Sequence, residues 1–109
     1  MSYNIRPTPT FQKQFRKLLK KYRSLTDDIL ILRRTLLEKP TQGTPLGKNC
    51  FKVRLAISSK NKGKSGGARI ITHVQIVDDT VFLLSIYDKS TKSNLNEGEL
   101  DTLLLEIDD

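Results

Sequence analysis

Apolar residues recur along the chain at two different periods, and the change from one to the other separates a helical first third from a strand-rich middle. Tyr3 to Arg6 predicts a short first strand, ended by Pro7 and Pro9. Thr8 or Thr10 then suits a helix cap, and Thr8 would place Pro9 at the first helical position. Phe11, Phe15, Leu18, Leu19 and Tyr22 follow at helical spacing, with Lys13, Arg16, Lys17, Lys20 and Lys21 on the opposite side. A second helix is expected from Ser24 or Thr26 to just before Pro40, with Asp27 and Asp28 at the positive end of its dipole. Leu25, Ile29, Leu32 and Leu36 form its buried stripe, broadened by Leu30, Ile31 and Leu37. The joint between the helices is short, which predicts an antiparallel hairpin. Residues 41–49, TQGTPLGKN, read as loop.

From Phe51 the period is two. Phe51, Val53, Leu55 and Ile57 point one way, and Lys52 and Arg54 share the other face. Ser58 to Ala68, rich in lysine and glycine, predicts a flexible cationic hairpin loop. Arg69 to Val77 and Thr80 to Tyr87 are β-rich runs separated by Asp78 and Asp79, and VFLLSIY is apolar enough to be a central strand buried on both sides. Helical spacing returns in Leu100, Leu103, Leu104 and Ile107, after a capping-box pair of Asn96 and Glu99. The expected order is β-α-α-β-β-β-α. This is a single α+β domain over residues 1–109, an antiparallel-rich small sheet with the N-terminal helical hairpin on one face, a basic opposite face, and a C-terminal helix.

Composition narrows the classes. With 109 residues there is one modest core and no room for a large cofactor cavity, so no cofactor is expected and any site should be shallow. Apolar runs are too short for a membrane span, and the N-terminus has no signal-peptide core, which predicts a cytoplasmic protein without membrane contact. One cysteine, Cys50, and one histidine make neither an internal disulfide nor a zinc set. Residues 1–69 carry 17 of the 19 Lys+Arg but only 3 of the 12 Asp+Glu. So strongly basic a segment seeks a polyanion or an acidic partner.

The candidate chemistry lies on the polar side of the strands. Lys52 and Arg54 come from one strand, Arg69 and His73 alternate on the next, and Tyr87 and Lys89 close the buried one. Lys60, Lys62 and Lys64 hang in the loop nearby, placed to guide an RNA backbone. Arginine can fork two hydrogen bonds to phosphate, lysine supplies a point charge, and tyrosine can stack an unpaired base. RNA is favoured because it brings its own nucleophile, the ribose 2′-hydroxyl. The protein then needs only to move protons and stabilise charge on phosphorus, tasks within reach of Lys, Arg, Tyr and His.

The segments FKVRLAISSKNKGKSGGARIIT and FLLSIYDKSTKSNL resemble the RelE-like branch of the RelE/ParE toxin superfamily, small toxins of bacterial type II toxin–antitoxin modules. The resemblance implies metal-independent endoribonuclease activity on mRNA at the ribosome and neutralisation by a cognate antitoxin in a hetero-oligomer. It places Lys52, Arg54 and Arg69 at phosphate-binding and transition-state positions and Lys89 near the leaving group, whereas the family's tyrosine often lies further along, towards the last helix; on the residues themselves, Tyr87 or Lys89 is expected to move protons. Two alternatives keep the fold: a ParE-like inhibitor that binds DNA gyrase, and a non-catalytic member that binds only antitoxin or operator DNA.

Overall fold

A computed structural model of the chain describes residues 3–60 and 66–107. The elements follow in the order β1 (Asn4–Pro7), α1 (Pro9–Lys21), α2 (Leu25–Glu38), β2 (Thr44–Gly47), β3 (Cys50–Leu55), β4 (Ala68–Gln75), β5 (Thr80–Asp88) and α3 (Glu99–Leu104). The five strands form one sheet in the order β1-β5-β4-β3-β2, antiparallel except where β1 lies parallel to β5. The α+β class and the helix–strand order agree with the expectation, with one strand added.

That strand is β2, in the stretch expected as loop. It pairs antiparallel with β3 through a two-residue turn in which Lys48 and Asn49 both have positive φ, 56° and 59°. Such a turn twists with the strands it joins. Every residue of β2 is exposed, so no alternating apolar signal marks it, and Pro45 is tolerated because the strand is an edge. The run VFLLSIY is buried on both faces as expected, but the middle of the sheet belongs to β4. Beyond Leu83, where β1 stops, Gln14 of α1 takes over as edge partner of β5. Its Oε1 accepts from the Ser85 hydroxyl and the Ile86 amide, both at 2.9 Å.

The helical hairpin packs on one face of the sheet. Phe11, Leu25, Leu32 and Leu36 meet Val53, Leu55, Ile57, Ile70, Leu83 and Ile86 in the main core, where each fully buried aliphatic side chain contributes roughly 1.5–3 kcal/mol. Thr8 caps α1 as its position predicts, accepting from the Phe11 amide, while its own amide and hydroxyl donate to the Leu83 carbonyl. Leu30 and Ile31 do not broaden the stripe of α2. They are 51% and 61% exposed, because the hairpin buries only the narrower face centred on Leu25, Leu32 and Leu36.

The opposite face is not the bare basic surface expected. Cys50, Ile71, Leu84 and Tyr87 form a second apolar cluster, roofed by Leu95, Leu100, Leu103, Leu104 and Ile107 of the C-terminal segment. Glu99 accepts from the Asn96 amide at 2.8 Å, one half of the expected capping box, and Gly98 at φ 79° is the residue that starts α3. No helix among the described residues is long and apolar enough to cross a membrane.

Gly67, where the chain enters β4, has no space for a side chain: a Cβ there would stand 2.0 Å from the Leu55 carbonyl oxygen of β3. Its own carbonyl accepts from the Lys89 amide at 3.1 Å, which extends the β4–β5 ladder by one step. Gly67→Ala is expected to force β3 and β4 apart at this end and cost about 1–3 kcal/mol, read as a lower urea midpoint. Gly47→Ala, with open space around it but a φ of 87°, is expected to cost about 1 kcal/mol.

Candidate active site

Strand register gathers the predicted residues. Arg54 of β3 lies directly opposite Arg69 of β4, and Arg69 directly opposite Tyr87 of β5, so the three form one row across neighbouring strands. Directly opposed side chains in such a ladder stand about 5 Å apart at Cβ. Lys52, two residues along β3 from Arg54, shares the face, and Lys89 is exposed in the turn just after β5, its amide bonded to the Gly67 carbonyl.

The row is graded in exposure. Arg54 is open to solvent, Arg69 is 4% exposed with a guanidinium hydrogen bond to the Ala68 carbonyl at 3.0 Å, and Tyr87 is 7% exposed. Burial lowers the Arg69 pKa, the neighbouring Arg54 charge lowers it further, and Tyr87 works the other way. Burial raises the Tyr87 phenol, with Arg69 opposing and Glu99 reinforcing the shift. Among the described residues the Tyr87 hydroxyl is buried without a hydrogen-bond partner. A buried donor with no partner costs about 1–3 kcal/mol and calls for an explanation beyond packing.

Lys92, in the segment after β5, was not among the residues singled out from the sequence. Its ammonium lies 5.4 Å from the centre of the Tyr87 ring and binds both carboxylate oxygens of Glu99, at 2.6 and 2.7 Å. A lysine in an irregular polar stretch carries no periodic signal, so only the folded chain reveals it. Lys52 donates to Asn94 at 2.9 Å.

The loop cations behave differently. Lys60 closes a 3-10 turn, Ser58–Lys60, and is an internal ion-pair partner instead of a free loop charge: its ammonium lies 2.8 Å from Asp88 with side-chain exposures of 9% and 2%. Asp88 also accepts from the Tyr22 hydroxyl at 2.5 Å and from the Ser90 amide and hydroxyl at 3.0 and 2.8 Å. This network ties the end of α1, the Ser58–Lys60 turn and the end of β5 together. Lys62 and Lys64 lie outside the described residues. His73 is four residues along β4 from Arg69, about 13 Å away, and so stands apart from the row. It sits beside Cys50, with Nδ1 3.5 Å from the sulfur, and against Phe82 at 6.4 Å between ring centres. Burial lowers the His73 pKa and pushes the Cys50 thiol up to about 11, which fits apolar filler more than chemistry.

The helical hairpin packed on a five-stranded sheet, which carries this row, is an arrangement shared with known proteins. A family model described as the RelE toxin of the RelE / RelB toxin–antitoxin system matches residues 10–105, and the chain belongs to that family. A mutant of E. coli toxin RelE in the free state is similar in fold, with a TM-score of 0.58 at 20% identity over 97% of this chain and 94% of that one. The toxin in the intact E. coli RelBE toxin–antitoxin complex gives 0.60 at 20% identity, covering 79% and 95%. That in the RelBE2 complex from Mycobacterium tuberculosis gives 0.59 at 21%, covering 81% and 99%.

Asp88 gives a pH signature. Burial works to raise its pKa, but the hydrogen bonds from Lys60, Tyr22 and Ser90 outweigh it and hold the carboxyl well below the usual range. A folded-state pKa below the unfolded value stabilises the fold above about pH 4 and progressively less as pH falls from there. Asp88→Asn is expected to cost about 3 kcal/mol at pH 7 by stranding Lys60. The gap between variant and wild type should narrow steadily below about pH 4 in urea unfolding curves, and a gap independent of pH would contradict the assignment.

Proposed function

We propose that this chain is the toxin of a type II toxin–antitoxin module and cleaves mRNA at the ribosome as an endoribonuclease in the cytoplasm. The observation that carries the proposal is the Arg54–Arg69–Tyr87 row: two adjacent guanidinium groups next to a buried phenol that has no hydrogen-bond partner among the described residues. Paired arginines repel one another, and a phosphate accepting from both relieves that repulsion. Arg54 and Arg69 are among the residues that the family resemblance assigns to phosphate and transition-state binding.

In the proposed reaction the ribose 2′-hydroxyl attacks the adjacent phosphorus and loses its proton to solvent, the bond to the 5′-oxygen breaks, and a 2′,3′-cyclic phosphate and a 5′-hydroxyl result. Arg54 and Arg69 hold the non-bridging oxygens as negative charge builds on them. The Tyr87 phenol, a hydrogen-bond donor at neutral pH, is proposed to give its proton to the departing 5′-oxygen, with the charge of Lys89 nearby. Lys52 extends the cationic surface along the RNA backbone. The family membership and the antitoxin complexes of the structural neighbours support a partner antitoxin, proposed to carry an acidic, initially disordered segment.

Arg69→Ala is expected to lower mRNA cleavage about 10²–10³-fold, measured by primer extension after induction. Tyr87→Phe separates stability from activity: removing an unpartnered buried hydroxyl should stabilise the fold by about 1 kcal/mol while slowing cleavage about 10²-fold. Undiminished RNA cleavage in both variants would contradict the proposal, and double-strand DNA breaks in place of RNA breaks would favour gyrase inhibition.

A further inference from the structure

The acidic residues of this chain are concentrated at one end. Residues 97–109 carry Glu97, Glu99, Asp101, Glu106, Asp108 and Asp109 and no lysine or arginine. In the folded chain the described part of this segment lies against the RNA face. Glu99 binds Lys92 through both oxygens, Asp101 pairs with Lys48 at the β2–β3 turn, and Asn94, just upstream, accepts from Lys52. Glu106 ties the far end to α1, accepting from the Thr10 amide at 2.9 Å and from its hydroxyl. Leu103 and its neighbours meanwhile cover Tyr87.

We propose that the segment from Asn94 to Ile107 is an autoinhibitory lid, an internal substitute for the polyanion that occupies the cations RNA needs and must lift to expose Tyr87. The inference rests on the RNA reading of the same site. Three polar contacts hold the lid against Lys48, Lys52 and Lys92, and two of them are ion pairs. The Lys48–Asp101 side chains are 59% and 64% exposed and the Lys92–Glu99 side chains 29% and 22%. The exposed Lys48–Asp101 pair is individually weak, whereas the part-buried Lys92–Glu99 pair opens only where a phosphate takes the place of the carboxylate at Lys92. The apolar underside is Leu95, Leu100, Leu103, Leu104 and Ile107, carried on and around a single six-residue helix, and uncovering it is the main cost that the RNA contacts must offset. Phosphates arriving at Lys52 and Lys92 replace Asn94 and Glu99 as their partners, the helix rises, and the phenol next to Arg69 is uncovered.

The test uses the full chain and a 12-nucleotide single-stranded RNA carrying 2′-O-methyl groups, which prevent cleavage. Glu99→Gln and Glu97→Gln change net charge equally, but Glu97 is exposed and makes no side-chain hydrogen bond or ion pair among the described residues. Glu99→Gln is expected to bind the RNA about threefold tighter or more than Glu97→Gln at low salt, because a cation is freed for a phosphate. Asp101→Asn should act in the same direction, and its exposed position keeps the fold intact should Glu99→Gln destabilise it. In the wild-type protein, adding RNA should accelerate amide hydrogen exchange in residues 99–107 while protecting β3 and β4. If RNA binds and Arg69→Ala weakens it, yet Glu99→Gln and Asp101→Asn equal Glu97→Gln and exchange in 99–107 stays unchanged, the lid is overturned and the RNA reading stands. If no form binds RNA, both fall.

Discussion

The antiparallel register of β3, β4 and β5 is the constraint from which the candidate chemistry follows. A slip of one residue in any of these strands would turn its side chains to the other face, moving Arg54, Arg69 or Tyr87 into the hairpin core and apolar neighbours into solvent. The register is held by burial of Val53, Leu55, Ile70 and Ile86 under the helices, and at the site's own end by two local devices. Gly67 allows the chain to pass close to the Leu55 carbonyl, and Asp88 anchors the last residue of β5 to Tyr22, Lys60 and Ser90. Tyr87 and Lys89 flank that anchor, so the side chains proposed for proton transfer are mounted on one of the most firmly tied points of the sheet.

Function and stability pull apart on this face. Arg69 is buried beside another arginine, and the Tyr87 hydroxyl is buried without a hydrogen-bond partner among the described residues, an arrangement with a cost in stability. On the hairpin face apolar side chains interdigitate and the buried carboxylates are hydrogen-bonded, although the Thr72 hydroxyl, opposite Phe51 and Leu83, has no hydrogen-bond partner among the described residues. Asp28, for example, accepts from Ser24 and from both the amide and hydroxyl of Ser58.

Much of the fold was legible in the sequence, for physical reasons that also explain the failures. Period-two alternation from Phe51 to Ile57, the Thr8–Pro9 cap and the apolar run of β5 each reflect a strong local preference joined to burial, and each appears where expected. Strand β2 was not legible because an exposed edge strand with Pro45 leaves no apolar trace. Leu30 and Ile31 misled because helical spacing shows which residues share a face but not how wide a face the neighbours cover. The row of Arg54, Arg69 and Tyr87 could be anticipated from strand parity. Lys60 could not, since its partner Asp88 is 28 residues away and lies on the opposite face from the cations it was grouped with. Lys92 and Glu99, in an irregular stretch and at a helix start, become a pair only through the way the C-terminal segment folds back.

The central claim is that the Arg54–Arg69–Tyr87 row grips a ribose–phosphate link. It is met most directly by an NMR titration of the labelled protein with a short uncleavable RNA, following arginine side-chain Nε–H resonances together with backbone amides. The account predicts that the Arg54 and Arg69 side chains and the Tyr87 amide shift first and saturate together. Saturating shifts confined to the basic stripe of α1, Lys13, Arg16, Lys17, Lys20 and Lys21, with the sheet row silent, would contradict it.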